Sequence, residues 1–124
     1  MIYLDTHVVV WLYAGLTDHL SPQAIDLIES NRLVISPMVQ LELQYLREIG
    51  RINTDSALII ESLGYSIGLE ICQIPFIQVV TESISQTWTR DPFDRLIVAQ
   101  AQAGKKQLLT KDQTILNNYA QAIW

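Results

Sequence analysis

The chain has 124 residues, of which 49% are hydrophobic and 17% charged, so it fits one domain with ample material for a packed core. It has no apolar stretch long enough for a bilayer, no signal-peptide pattern, and only Cys72 as a thiol, which predicts one cytoplasmic domain over residues 1–124. The net charge of −5 counts against nucleic-acid binding, because affinity for phosphate backbones usually comes from Lys and Arg contacts.

Strand-like and helix-like segments alternate along the chain. Ser-Pro or Asp-Pro pairs mark several helix starts, since Ser or Asp caps the helix and Pro fits its first turn. In chain order, the predicted elements are a strand at Met1–Leu4, helices at Thr6–Ala14 and 21–30, a strand at Leu33–Ile35, helices at 36–50 and 55–68, a strand at Glu70–Ile74, helices at 75–88 and 91–104, a strand at Gln107–Leu109, a short helix opening at Asp112, and a strand at Ala122–Trp124.

This alternation predicts an α/β fold, a three-layer α/β/α domain with a short parallel sheet of four or five strands. Ligands in such folds bind beyond the carboxyl ends of the strands. Asp5 directly follows the first strand, and Asp112 lies three residues beyond Leu109. Both acids are therefore expected on the same rim of the sheet.

Glu42 occupies an unusual position on its helix. On a helical wheel at about 100° per residue, it falls near the middle of a broad apolar arc. That arc consists of Met38, Val39, Leu41, Leu43, Tyr45, Leu46 and Ile49. A carboxylate there must be paired, protonated or bound to a cation, because an unpaired buried charge is very costly. A buried ion pair with an Arg, or a Glu at the edge reaching water, are the alternatives.

The other acids each have a simpler explanation as helix caps. Asp91 fits the N-cap of the helix at Pro92, with Asp94 as an acid favoured by the helix dipole. Asp5 and Asp112 equally fit N-caps.

Thr6 and Thr110 are expected as cap or turn hydroxyls that could also orient a carboxylate or a metal-bound water. His7 is expected to be a partly buried residue of an apolar helix, and the two histidines and Cys72 lack zinc-ligand spacing.

Helix capping alone is a poor explanation for all of these acids taken together. Parallel topology brings their segments to one crevice, where several carboxylates repel one another unless hard cations lie between them. Mg²⁺ and Mn²⁺ prefer such all-oxygen ligands. Cations would also offset the negative charge where a phosphate sits. Basic residues near the site or from a second subunit would act similarly; the candidates are Arg47, Arg51, Arg90, Arg95, Lys105, Lys106 and Lys111.

Four segments carry a recognisable pattern in order and spacing. They are Ile2-Tyr3-Leu4-Asp5-Thr6, then Ile35-Ser36-Pro37 with Leu41-Glu42-Leu43, then the stretch from Arg90 to Ala101, and finally Leu108-Leu109-Thr110-Lys111-Asp112. On these segments, which extend over essentially the whole chain, the sequence resembles PIN domains, and among them the VapC-type toxins of bacterial toxin–antitoxin modules. The stretch 90–101 is the most specific part of the resemblance.

The resemblance implies Mg²⁺- or Mn²⁺-dependent cleavage of RNA, usually tRNA or rRNA, by a homodimer that a small antitoxin neutralises. The family's four acidic positions match Asp5, Glu42, Asp94 and Asp112, which would hold one or two ions. Asp5 and Asp94 are the first choices for direct ligands, and Asp112 binds directly or through water. Glu42 ligates a second ion or orients the attacking water. Thr110 matches the family's Ser/Thr before the last acid, and Asp91 matches an additional acid.

Two other functions fit part of the pattern. A response-regulator receiver domain has this length and an acidic rim, but it carries paired acids after the first strand, where this chain has Asp5-Thr6. Its phospho-acceptor Asp directly follows a middle strand, where this chain has Ser36-Pro37 or Ile74-Pro75. A catalytically silent PIN domain that acts as a binding module is the third possibility, and the full acidic set counts against it.

Overall fold

Five short strands and seven α-helices alternate along residues 1–124, all of which the computed structural model describes. The strands are β1 (Ile2–Leu4), β2 (Leu33–Ile35), β3 (Glu70–Ile71), β4 (Leu108–Leu109) and β5 (Ala122–Ile123). The helices are α1 (Thr6–Ala14), α2 (Pro22–Ser30), α3 (Pro37–Glu48), α4 (Ser56–Ile67), α5 (Phe76–Ser83), α6 (Pro92–Gly104) and α7 (Gln113–Asn118), and a 3-10 turn covers Thr17–His19. None of the helices is long and apolar enough to cross a membrane.

All strands pair in parallel in one sheet of order β3-β2-β1-β4-β5. The chain adds strands in one direction from β1 to β3 and in the other from β4 to β5. Right-handed crossovers, the general rule for parallel strands, would put α1–α4 and α5–α7 on opposite faces of the sheet. The five parallel strands and seven helices confirm the predicted α/β fold. The strand order reverses between β1 and β4, where Leu4 pairs with Leu109. Receiver domains use the order 2-1-3-4-5, so this sheet is not a receiver sheet.

The caps predicted from sequence begin the helices as expected. The Ser21 side chain accepts a hydrogen bond from the backbone N–H of Ala24, and Ser36 accepts one from Met38. The central strands are buried along their length, as apolar strands covered on both faces must be.

Two predicted elements are shorter than expected. The third strand ends at Ile71 instead of Ile74, and α5 ends at Ser83 instead of Trp88. The end of α5 has a tertiary cause, since the Arg95 guanidinium from α6 donates to the carbonyl oxygens of Ser83 (2.8 Å) and Ile84 (3.2 Å). The Ser83 carbonyl also accepts a hydrogen bond from the Gln86 N–H at 3.1 Å, within the turn that follows α5. No pattern within residues 75–88 indicates that Arg95 reaches these carbonyls.

The close packing of α6 on the sheet depends on a glycine. A Cβ at Gly104 would lie 2.6 Å from the Tyr3 hydroxyl and 3.0 Å from a ring carbon of the same side chain. The Tyr3 hydroxyl lies 3.1 Å from the Cys72 sulfur, which holds the ring in place. Cys72 is half-buried and packs against the edge of the core.

Gly104→Ala is therefore expected to lower the free energy of unfolding by about 1–3 kcal/mol, because the tyrosine ring must move. Gly64→Ala is the matched control. A Cβ there would lie 3.6 Å from its nearest neighbour, the carbonyl oxygen of Leu69, and alanine is the better helix former by about 0.5–1 kcal/mol. Urea unfolding of both variants measures the difference; equal shifts of the same sign would contradict this packing.

Candidate active site

A cleft of about 200 Å³ opens at the carboxyl ends of β1 and β4, where the strand order reverses. We call it the acidic cleft; its lining residues are Asp5, His7, Val8, Trp11, Glu42, Asp94, Lys111 and Asp112. The structure thus brings together the four acids that the sequence singled out. The first and last of them come from strand ends, and the other two come from α3 and α6.

Asp5 lies at the bottom of the acidic cleft and is 7% exposed. Its Oδ1 accepts a hydrogen bond from the Thr6 N–H at 2.8 Å, which makes it the N-cap of α1. Its Oδ2 accepts one from the Thr110 hydroxyl at 2.6 Å. Burial raises the pKa of Asp5, and these two hydrogen bonds offset part of that effect. Asp5 is therefore both a cap and a cleft residue.

Asp112 has the same double placement at the end of β4. Its Oδ1 accepts a hydrogen bond from the Ile115 N–H at 3.0 Å and caps α7. Its own N–H donates to the Thr110 hydroxyl oxygen at 3.0 Å. Because Thr110 also donates to Asp5, this buried hydroxyl links the two strand ends. Thr110 thus contacts both acids at the strand ends, and its role in orienting a carboxylate stays a prediction.

Asp94 does not cap α6, because Asp91 is the N-cap of that helix. Asp91, which is exposed and does not line the cleft, caps α6 by accepting from the N–H groups of Phe93 (2.8 Å) and Asp94 (3.2 Å). The half-buried Asp94 carboxyl faces the cleft instead. Its pKa rises to about 7, first because of burial and then because Asp91, Asp5, Asp112 and Glu42 repel its negative charge.

Glu42 reaches the acidic cleft from α3 and is half-buried. The buried Thr6 hydroxyl donates a hydrogen bond to its Oε1, and no arginine pairs with it. Burial is the main cause that raises the pKa of Glu42, and repulsion from Asp5 adds to it. Of the alternatives, the buried ion pair is therefore excluded.

The apolar arc around Glu42 is less buried than its composition suggests. Leu41 is 55% exposed, Tyr45 46% and Ile49 49%, so the buried side of α3 is limited to Val39, Leu43 and Leu46. Glu42 therefore lies at the border of the buried side and not at its centre. Hydrophobic periodicity marks which residues are apolar, but the neighbouring helices determine which of them are covered.

Lys111 is the one Lys or Arg that lines the acidic cleft. Three of the other six candidates have structural partners: Arg95 holds the end of α5, Arg47 pairs with Asp55 at 3.6 Å, and Arg90 donates to the carbonyl of Thr87. The expected group of basic residues is thus not present within this chain.

Two further lining residues were missed or misjudged from sequence. His7, expected to be partly buried, is exposed and lines the cleft because α1 turns it toward the rim. Trp11 is not among the predicted site residues, although it lies one helical turn after His7 and so shares its side of α1. That spacing was the available signal.

The chemistry of the cleft fits a hard divalent cation. Its charged donors are carboxylate oxygens, and three of the four acids have raised pKa values because burial and mutual repulsion disfavour their charged forms. No three acid, histidine or cysteine groups are drawn together into a closed ion-binding cluster. The acids are thus spread around an open cleft.

A parallel α/β domain with carboxylates at its strand-order reversal belongs to the class of α/β domains whose ligands bind in this crevice. Within that class, residues 2–121 match the model of the PIN domain family, so the chain belongs to the PIN domain family. A search of curated proteins finds no match.

Several solved structures share this fold. One is a toxin–antitoxin complex from Klebsiella pneumoniae, with TM-score 0.70, 16% identity, and coverage of 100% of this chain and 97% of the other. VapBC2 from Rickettsia felis, bound to a DNA fragment from their promoter, gives TM-score 0.64 and 23% identity over 95% and 93% of the two chains. VapBC-1 from nontypeable Haemophilus influenzae gives TM-score 0.58 and 20% identity over 100% and 96%.

The raised pKa values predict how the metal-free protein responds to pH. The folded state holds protons on these acids more tightly than the unfolded state does. The resulting stabilisation is therefore complete below the unfolded pKa, 3.8 for Asp94, and is lost as pH rises through about 7. In chelator, Asp94→Asn should gain stability relative to the wild type between about pH 5 and about pH 8, because it removes this loss.

Urea unfolding at several pH values measures this difference. Glu61→Gln, which removes an exposed acid from α4, is the matched control and should show no such trend. A difference between Asp94→Asn and the wild type that stays constant or reverses with pH would contradict the raised pKa.

Proposed function

We propose that this chain is a divalent-metal-dependent endoribonuclease that acts in the cytoplasm as the toxin of a toxin–antitoxin module. The proposal is carried by the convergence of Asp5, Glu42, Asp94 and Asp112 on one cleft in a chain of the PIN domain family. The likeness to a toxin–antitoxin complex and to two VapBC structures supports the toxin role.

Asp5 and Asp94 are the proposed direct ligands of one or two Mg²⁺ or Mn²⁺ ions. Asp112 binds directly or through water, since one of its oxygens already caps α7. Glu42 holds a second ion or orients the attacking water. When bound, the ion supplies a water of lowered pKa and stabilises negative charge on the scissile phosphate.

The protein's own groups prepare this site in defined ways. Thr110 holds Oδ2 of Asp5, and Thr6 holds Oε1 of Glu42, so both carboxylates are oriented before substrate arrives. The raised pKa of Glu42 makes its carboxylate a better proton acceptor for an attacking water. Lys111 adds a positive charge to the cleft that the RNA backbone would enter. In-line attack would leave a 5′-phosphate and a 3′-hydroxyl.

The substrate is proposed to be a structured RNA such as tRNA or rRNA, cleaved by a homodimer. A second subunit would bring basic residues that this cleft lacks, which fits the net charge of −5. A catalytically silent binding module is the competing function. It would bind RNA or protein without needing all four acids.

Purified protein is expected to cleave RNA with Mg²⁺ or Mn²⁺ and to lose this activity in chelator. Asp5→Asn and Asp94→Asn should each lower the cleavage rate by about 100-fold or more, because each removes a proposed ligand of the ion that stabilises negative charge in the transition state. Glu61→Gln, away from the cleft, should cleave like the wild type. Thermal unfolding with and without Mg²⁺ should show stabilisation that is lost in Asp94→Asn, which reports ion binding apart from activity.

Cleavage that persists in chelator would overturn the metal-dependent mechanism. A wild type that gains stability from Mg²⁺ and binds RNA without cleaving it would favour the silent module.

Expression in a bacterial host tests the toxin role. The wild-type chain should arrest growth, and Asp5→Asn should not, because arrest requires cleavage. Co-expression of the small open reading frame adjacent to the gene should restore growth and yield a complex in which both chains co-purify. Arrest by Asp5→Asn equal to that by the wild type would show that growth inhibition does not come from this site.

A further inference from the structure

The wall of the acidic cleft formed by α1 is aromatic. Trp11 lines the cleft directly. Its ring stacks on His19, with centroids 5.2 Å apart and planes at 26°, and meets Trp124 edge-on at 5.9 Å. We call Trp11, His19 and Trp124 the aromatic platform. His7, whose ring centroid lies 6.1 Å from that of Trp11, lines the same cleft.

Packing explains only part of this platform. Trp11 and Trp124 are half-buried and contact the hydrophobic core, which accounts for one side of each ring system. His7 and His19 are exposed, and part of the Trp11 ring borders the cleft. A tryptophan that served only to fill the core would not need to turn part of its ring toward four carboxylates and solvent. The exposed part of the platform is therefore available to a ligand that also enters the cleft.

Lys111 connects the platform to the acids. Its ammonium group lies 5.8 Å from the centroid of the Trp11 ring, over the ring, and Lys111 itself lines the cleft. The side chain is exposed, with a flexible stem, so it can leave the ring for an anionic group when a flat ligand takes its place. One short stretch of surface thus offers carboxylates, a single mobile cation and an aromatic face.

We infer that the aromatic platform stacks an unpaired RNA base next to the scissile phosphate while Lys111 contacts a neighbouring phosphate. Proteins bind single-stranded nucleic acid by this combination of aromatic stacking and cationic backbone contacts. A base within a duplex is stacked on its neighbours and cannot offer its face to Trp11, so the platform selects unpaired nucleotides. This inference rests on the proposed ribonuclease function and assigns Trp11 as a determinant of specificity.

An abasic scan of a cleavable RNA tests the inference. Removing the base at one position beside the cleavage site should lower kcat/KM of the wild type by on the order of 10-fold, the usual loss for one stacked base. Trp11→Leu should lower kcat/KM on the intact RNA by a similar factor. The two changes together should cost no more than either alone, because both remove the same contact. Losses that multiply, or a Trp11→Leu variant that cleaves like the wild type, would overturn the inference.

Two variants separate stacking from packing. Trp11→Phe keeps an aromatic face and should retain most of the activity and the sensitivity to the abasic position. Trp88→Leu removes a half-buried tryptophan that does not line the cleft, and it should lower stability without changing the abasic profile. A Trp11→Phe variant as impaired as Trp11→Leu would point to packing alone and would also overturn the inference.

A binding measurement keeps the inference distinguishable from the proposed function. The chain has three tryptophans, so Trp88→Phe leaves the two indoles of the aromatic platform, Trp11 and Trp124, as the only ones. In an Asp94→Asn background of this variant, a single-stranded RNA oligonucleotide should quench the tryptophan fluorescence, and the same sequence as a duplex should not. Quenching without any cleavage by the wild type would support the platform and refute the nuclease. Cleavage by the wild type without quenching would do the reverse.

Discussion

The parallel pairing of β1 with β4 is the constraint on which the rest of the structure depends. These strands are distant in sequence, yet Leu4 and Leu109 lie side by side, and the chain must leave the sheet in opposite directions from them. The divergence opens a crevice that no crossover helix covers. Asp5 and Asp112 follow these strands, and Thr110 joins their ends by hydrogen bonds to both. The remaining cleft residues lie near this junction, because α1, α3 and α6 all begin on the same rim of the sheet.

The acidic cleft stores unfavourable electrostatic energy that a cation would relieve. Burial and repulsion raise the pKa of Asp5, Glu42 and Asp94, while hydroxyl groups hold two of these carboxylates in place. Protons and metal ions compete for such carboxylates, so ion binding should strengthen as pH rises. The negative net charge, which first counts against RNA, is in part a property of this site. A phosphate can approach it only when positive charge is supplied by ions, by Lys111 or by a second subunit.

Capping and site formation are not alternatives in this protein. Asp5 and Asp112 each use one oxygen to cap a helix, a contribution of about 1 kcal/mol for a typical N-cap, and the same side chains face the cleft. At α6 the two tasks are divided, because Asp91 caps and Asp94 lines the cleft. With the Asp-x-x-Asp spacing, Asp91 caps α6 and the carboxyl of Asp94 is left to face the cleft. Asparagine at Asp5 can preserve the cap through its amide oxygen, but its amide nitrogen cannot accept the hydrogen bond that Thr110 donates to Oδ2.

Sequence alone determined the features that local chemistry controls. Ser-Pro and Asp-Pro pairs began helices where Ser21, Ser36 and Asp91 cap them, and strand ends placed Asp5 and Asp112 on one rim, because these effects act over a few residues. Tertiary contacts decided the rest. The end of α5 depends on Arg95 from another helix, the exposure of Leu41 and Tyr45 depends on what packs beside α3, and the platform on Trp11 depends on His19 and Trp124 folding back onto it. Each of these involves residues that meet only after the chain has folded, and no local pattern of polarity specifies which distant side chain arrives.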